Sequence, residues 1–395
     1  MVTLDDIEGA RKNIAGFVHK TPLIHSNSLS LLSGSEVYLK LENLQKTGSF
    51  KVRGAFNKLL HVPDERVIAA SMGNHAQAVA FAAQRLGKKA MIVMPETASI
   101  VKQQATAGYG AEVILKGEKF EEALDYALSR KDARFIHPFD DDEVIAGQGT
   151  IGLEIVEELQ GIDVLLVAVG GGGLIAGIAA AMKARSSATA VIGVQAECAP
   201  SAALSFQSRK LCEKTPSITI ADGIAVGRVG ERTFNLMGRF VDDILLVDED
   251  AIARAILLFL ERKKLVVEGA GAVALAALLN NRERFAGKRV VLVVSGGNID
   301  FTLVDRILLK GLVTSGRIGI FEVTAADISG SLHAITGVIA SRRANILNVA
   351  HDRLAGDVPI GRARVTFTAE VRDREHLAVV CQALREKGYE VRERS

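Results

Sequence analysis

Lys51 is the residue of this 395-residue chain best placed for chemistry. It follows the polar stretch Gln45-Lys46-Thr47-Gly48-Ser49-Phe50 and opens Val52-Arg53-Gly54-Ala55-Phe56-Asn57-Lys58-Leu59-Leu60, whose apolar members repeat at helical spacing. That spacing sets the lysine at a helix N-terminus, where the dipole disfavours an ammonium and burial would lower its pKa further. An amine freed of its proton is a nucleophile for carbonyl groups. The decapeptide by itself also reads as a surface turn with a solvated lysine.

Three other stretches have residue types suited to holding a ligand. Gly170, Gly171, Gly172 and Gly173, followed by Leu174, stand between the apolar run 163–169 and a helical pattern that continues to residue 184. Consecutive glycines expose backbone N–H groups, and a helix N-terminus behind them adds a field that favours an anion. This reads as a phosphate cup. A flexible turn is the plain alternative, and a dinucleotide fingerprint is another, because Glu197 ends the next strand at about the spacing that fingerprint expects. Ser71-Met72-Gly73-Asn74-His75 follows an apolar strand and opens a helix; its Ser and Asn are equally ordinary as caps. Ser295-Gly296-Gly297-Asn298 ends the apolar run 290–294, with an ordinary strand-end turn as the alternative for Ser295.

The elements that must position these residues alternate regularly. An amphipathic pattern over residues 4–18 leads to Thr21-Pro22, and residues 36–41 alternate as a strand delivering the chain to the lysine stretch. From residue 66 the pattern is strand, turn, helix: strands at 67–70, 90–94, 112–115, 135–136 and 163–169, each followed by a helical pattern. Short buried strands alternating with helices predict parallel sheets covered on both faces, with binding sites at the carboxyl ends of the strands. The stretches 221–226 and 268–272, Ala-Asp-Gly-Ile-Ala-Val and Glu-Gly-Ala-Gly-Ala, are expected to line the same site or to be glycine turns at element boundaries.

Ser49-Phe50-Lys51-Val52-Arg53-Gly54 resembles the Schiff-base lysine motif of the fold-type II pyridoxal-phosphate (PLP) enzymes, in their serine/threonine dehydratase branch. The asparagine, tetraglycine and serine stretches match that family in the same order. The resemblance implies a tryptophan-synthase-β-like α/β catalytic domain of two parallel-sheet subdomains. It implies a cofactor held by Lys51, Phe50, Asn74, Gly170 to Gly173, Leu174 and Ser295, and an amino-acid carboxylate held by Ser71, Gly73, Asn74 and His75. It further implies conversion of L-threonine to 2-oxobutanoate and ammonia, with L-serine as a second substrate and a place in isoleucine biosynthesis. Family racemases carry an acid/base serine two residues before the asparagine; that position is Met72. Racemase-like members bind a divalent cation near the position of Glu197 through a second carboxylate, and residues 198–207 contain none, so no metal is expected. Serine racemase, threo-3-hydroxyaspartate ammonia-lyase and a non-catalytic amino-acid sensor are the competing readings; the intact lysine, asparagine, glycine and serine motifs argue against the sensor.

After residue 316 the pattern becomes strand, helix, strand, strand, helix, strand, a ferredoxin-like order that resembles an ACT regulatory domain. The expected division is therefore 1–316 and 317–395. The resemblance places a small effector near Asp327, Gly330, Leu332 and Asn345, although Ser329 replaces the usual proline before the glycine. It also implies a homo-oligomer, dimer or tetramer.

Composition is consistent with this frame. A net charge of +2 with no basic block argues against nucleic acid as a partner. No apolar run reaches the roughly 18 residues of a membrane span, and the acidic N-terminus lacks a signal-peptide layout, so a cytoplasmic setting is expected. Cys198, Cys212 and Cys381 are odd in number and widely spaced, which indicates neither a disulfide framework nor a thiolate zinc site.

Overall fold

The short apolar runs of residues 1–300 fold as strands β1 (Leu23–His25), β2 (Glu36–Leu41), β3 (Arg66–Ala70), β4 (Lys89–Met94), β5 (Glu112–Leu115), β6 (Arg134–Phe135), β7 (Val164–Ala168), β8 (Ala190–Ala196), β9 (Asp243–Val247) and β10 (Arg289–Val294). They form two sheets, ordered β1-β2-β10-β7-β8-β9 and β5-β4-β3-β6. This is a computed structural model describing residues 1–354 and 357–394, and the chain divides into two compact units, Met1–Asp300 and Phe301–Ser395.

Both sheets are parallel except at one edge, where β1 pairs antiparallel with β2. Residues 26–35 explain the exception: they are fewer than the dozen or so that a parallel crossover needs. The Leu4–Ile14 helix is fixed by a capping box, with Thr3 and Asp6 bonding each other's backbone. It stops short of the amphipathic pattern that continues to residue 18 because Gly16 turns left-handed, at φ +82°.

The helices Asp142–Glu158 and Gly173–Arg185 pack tightly in the first unit. A Cβ on Gly177 would lie 2.2 Å from the Ile145 carbonyl oxygen, so the close approach depends on glycine. The Lys51–His61 helix is anchored just inside its first turn by buried charges. Arg53, fully buried, donates to Glu42 through Nε (2.9 Å) and Nη2 (2.7 Å) and to Glu154 through Nη1 (2.6 Å) and Nη2 (3.0 Å). Lys40, also fully buried, pairs with Glu154 at 2.6 Å and donates to the Thr21 carbonyl at 2.7 Å. Two cations and two carboxylates thus close a neutral buried network, the condition under which such charges are tolerated.

In the second unit the helix Phe301–Thr314 precedes strands β11 (Ile318–Ala326), β12 (Asn345–Asp352), β13 (Arg362–Glu370) and β14 (Glu390–Arg394). Their sheet is antiparallel in the order β12-β13-β11-β14. Helices Ser331–Ser341 and Arg374–Glu386 complete the βαββαβ chain order of a ferredoxin-like unit. Phe321, Val323, Phe367, Ile335, Ile339, Val380 and Leu384 fill its core. Among the described residues no helix is long and apolar enough to cross a membrane.

Candidate active site

Lys51 is the first residue of its helix, and the loop before it is stitched to the loop after β10. Phe50 N–H donates to the Ser295 carbonyl (3.1 Å), Gly297 N–H to the Gly48 carbonyl (2.9 Å), and the Asn298 amide to the Thr47 carbonyl (2.8 Å). Gly48 is required there twice over: its φ is +71°, and a Cβ would fall 2.3 Å from Asn298 Oδ1. The stitching brings Lys51 and Ser295 together. Ser295 Oγ donates to the Ala270 carbonyl at 3.2 Å, and the Ser49 hydroxyl is buried without a hydrogen-bond partner.

Among the described residues, the Lys51 amine has no carboxylate in salt-bridge contact. It donates to the Pro138 carbonyl at 2.8 Å. Burial lowers its pKa to about 8, against a weaker opposing pull from Glu268. A larger neutral fraction than an ordinary lysine has is therefore available near physiological pH.

Asn74 opens the helix Asn74–Arg85 at the carboxyl end of β3. Its Nδ2 donates to Glu268 Oε1 (2.7 Å), and its Oδ1 accepts from Asn298 Nδ2 (2.7 Å). The chain Asn298 to Asn74 to Glu268 thus runs in one donor direction and ends on a carboxylate. Ser71 accepts from Gly73 N–H at 3.2 Å, and the next helix turn offers unpaired N–H groups to an anion. His75 is buried behind them, donating from Nε2 to the Ile136 carbonyl (3.0 Å); burial, with the Lys51 charge, drops its pKa to about 3, so it is a neutral structural donor.

Glu268 stands at the N-cap position of the helix Gly269–Asn280, with no side-chain bond to the helix, and is almost wholly buried. Burial first and the Asp222 charge second raise its pKa to about 7, against the opposing Asn74 bond and Lys102 charge.

The glycine loop lies on the other side of Pro138. Phe139 packs against it so closely that a Cβ on Gly171 would sit 2.4 Å from the Phe139 ring, and one on Gly173 2.9 Å from the Phe139 Cβ. Gly172 is left-handed at φ +93°. Among the described residues, the backbone N–H groups of Gly170, Gly171 and Gly172 donate no hydrogen bond, although Gly171 and Gly172 are buried. Buried donors of that kind are matched to an acceptor outside the chain. Leu174 lies in the first turn of the helix behind them.

The site residues expected from the sequence, namely Lys51, Phe50, Ser71, Gly73, Asn74, His75, Gly170 to Gly173, Leu174 and Ser295, therefore all lie on loops at strand ends or on the first helical turns that follow. Sequence reasoning passed over the segment 136–140, whose Pro138 and Phe139 face the lysine and the glycine loop in turn. Asp140, in the same segment, caps the Glu231–Phe240 helix by accepting from Arg232 N–H (2.9 Å) and Thr233 N–H (3.1 Å). His137 accepts two backbone N–H bonds at Nδ1, which fixes its proton on Nε2. Its only sequence signal is a proline beside a histidine after a short strand. Glu268 was visible only as the head of a glycine-rich stretch.

The four residues expected at an effector site are not brought together within one chain. Asp327, Gly330 (φ +91°) and Leu332 lie where β11 gives way to the Ser331–Ser341 helix, while Asn345 starts β12 opposite Glu370 and the first residue of β11, at the far end of the sheet. Arg353 donates to Asp327 at 3.0 Å.

The family model described as pyridoxal-phosphate dependent enzyme matches residues 14–296. The chain is 48% identical to an L-threonine ammonia-lyase of Thermotoga maritima over 99% of both chains, and 45% identical to one of Geobacter sulfurreducens over 97% of both. Among solved structures, a threonine deaminase from T.th. superposes with a TM-score of 0.73 at 43% identity, covering 76% of this chain and 99% of that one. Maize serine racemase superposes with a TM-score of 0.74 at 33% identity, covering 79% and 98%.

Proposed function

Because this chain belongs to the family of pyridoxal-phosphate dependent enzymes, we infer that it is a threonine ammonia-lyase, converting L-threonine to 2-oxobutanoate and ammonia and accepting L-serine. The observation that carries the reading is the pairing of a carboxylate-free, part-buried amine at Lys51 with unpaired N–H donors at Gly170 to Gly172, joined through the consecutive residues Pro138 and Phe139. A phosphorylated aldehyde fits that pairing: the amine is free to meet the carbonyl carbon and the glycine loop to meet the phosphate. Ser295 and Asn74 would hold the ring's polar edge.

When bound, pyridoxal phosphate supplies the electron sink for charge that develops at the substrate α-carbon. The chain's own residues supply the rest. The helix start at Ser71 to His75 orients the substrate carboxylate, and the Asn298–Asn74–Glu268 relay fixes the Asn74 amide. Lys51 Nζ takes the α-proton. The β-hydroxyl is lost together with a proton as water, balanced by the α-proton that Lys51 has taken, and the released enamine hydrolyses to the 2-oxo acid and ammonia. Met72 stands where family racemases place a serine; it packs against the core of the second sheet and has no proton to deliver, which speaks against racemisation.

The same reading assigns residues 1–316 to catalysis and residues 317–395 to an ACT regulatory domain, supported by the βαββαβ order. Its effector would sit near Asp327, Gly330 and Leu332, and Asn345 can join them only from a second copy of the chain, which accords with a homo-oligomer.

The test is release of 2-oxo acid by the purified, cofactor-loaded protein from L-threonine, L-serine and threo-3-hydroxyaspartate, with a Lys51→Ala variant alongside. Wild type is expected to form 2-oxobutanoate, and the variant to lose activity by about 10³-fold. No product from L-threonine, or a variant as active as wild type, overturns the reading.

A further inference from the structure

Asn74 reaches Glu268 from the subdomain built on the β5-β4-β3-β6 sheet, so the site carboxylate is addressed from across the cleft. A second contact makes the same crossing. Lys102, on the Ile100–Ala107 helix of that subdomain, places Nζ 2.8 Å from Oδ2 of Asp222, 120 residues away in sequence. Asp222 opens a one-turn helix, Asp222–Ile224, which lies directly against Glu268. A Cβ on Gly223 would be 3.7 Å from Glu268 Oε1, and one on Gly269 would be 2.8 Å from the Ala221 Cα.

We propose that the Lys102–Asp222 pair is a clasp across the mouth of the cleft that favours the carboxylate form of Glu268, making Lys102 a positioning residue for the reaction although it touches neither substrate nor cofactor. The physical basis is electrostatic. Asp222 is a like charge beside a buried carboxylate, and a like charge favours protonation. The ammonium of Lys102, carried by the facing subdomain, pairs with Asp222 and offsets that repulsion. The charged groups acting on Glu268 are Lys51 from the head of the Lys51–His61 helix, Asp222 from the one-turn helix and Lys102 from the facing subdomain. Asn74 and Asn298, which bond the carboxylate, and Ser49, whose Cβ lies 3.2 Å from one built on Gly296 beside it, are neutral. An ionised Glu268 accepts from Asn74 and so holds the amide in one orientation. A protonated one has a donor of its own and frees it to turn. The contact between Lys102 and Asp222 therefore bears on the orientation of Asn74 through Glu268.

The inference rests on the reading of this cleft as the ammonia-lyase site, and the experiment separates the two. The pH profile of kcat/KM for L-threonine is measured for wild type, Lys102→Gln, Lys102→Arg and Asp222→Asn. Lys102→Gln is expected to move the acidic limb up by roughly half a pH unit, Asp222→Asn to move it down, and Lys102→Arg, which keeps the cation, to leave it in place. In parallel, the carboxyl stretch of Glu268 is titrated by infrared difference spectroscopy of the same proteins without cofactor, assigned by Glu268→Gln, and should move in the same directions. If Lys102→Gln lowers kcat with the limb and the infrared midpoint unmoved, Lys102 is only structural and the clasp is overturned. If wild type does not turn over threonine, the assignment of function fails, while the infrared midpoints still decide whether the clasp exists.

Discussion

Lys40 and Lys51 stand eleven positions apart, at the two ends of the same strand-to-helix passage, and the protein treats them in opposite ways. Lys40 is buried among Glu154, Glu158 and the Thr21 carbonyl, within a network that also holds Arg53 between Glu42 and Glu154. Lys51 meets one carbonyl, and burial brings its pKa down to about 8. Both amines are drawn out of water, Lys40 wholly and Lys51 in part. The difference is the carboxylates, and it teaches that a reactive amine is made by withholding a counter-ion where a structural one is supplied. The two regions are also mechanically joined, since Arg53 lies two residues after Lys51 on the same helix.

The largest effect should appear in chemical labelling. In cofactor-free protein, an amine-selective acylating reagent is expected to modify Lys51 with a midpoint near pH 8 and to leave Lys40 untouched in the folded state. Equal labelling of the two, read by peptide mass mapping, would erase the contrast. Next in size is the loss of a counter-ion. Glu42→Ala leaves Arg53 and Lys40 to share the single carboxylate of Glu154 in the core and should cost about 3–5 kcal/mol of stability in denaturant titration. A cost below about 1 kcal/mol would mean that the network is solvated and that the comparison was drawn too sharply.

A somewhat smaller and pH-dependent effect is expected at Glu268, the carboxylate of the reactive region. Its folded-state pKa is raised from 4.5 to about 7 by burial first and by Asp222 second. Between those values the folded protein holds a proton that the unfolded chain lacks, so this group's contribution to stability is full below pH 4.5 and is lost as pH rises through 7. Glu268→Gln removes the loss. The variant should match wild type near pH 4.5 and exceed it by about 3 kcal/mol at pH 8, while losing activity. Equal stability at both pH values would place Glu268 in a solvated setting.

Much of this was legible in the chain itself, because the signals were local. The strands ending at Ala70, Ala168 and Val294 are short apolar runs with no alternation, as buried parallel strands require. Lys51 and the glycine loop are marked by residue type and by the helical period that begins beside them. What the sequence hid depends on partners far along the chain. Pro138 acquires its role from an amine 87 residues earlier, Glu268 from an amide 194 residues earlier, and Arg53 from a carboxylate 101 residues later. No period or propensity records such pairings. The early stop of the first helix is an intermediate case: Gly16 was in plain view, but only its left-handed backbone shows that it outweighs the amphipathic pattern.

The order β1-β2-β10-β7-β8-β9 has a consequence for how the molecule comes to exist in a cell. The strand that seals the larger sheet, β10, is the last of that sheet to be synthesised, and it slots between two made long before, pairing with β2 on one side and β7 on the other. Until roughly the three-hundredth residue has left the ribosome, a nascent chain carries two open sheet edges at its centre, each a template for wrong pairing. Ser295 and the loop stitched to Gly48 arrive with that strand, so the lysine loop is fastened only when translation of the first unit is complete. Cofactor capture is thereby deferred until the first unit is complete.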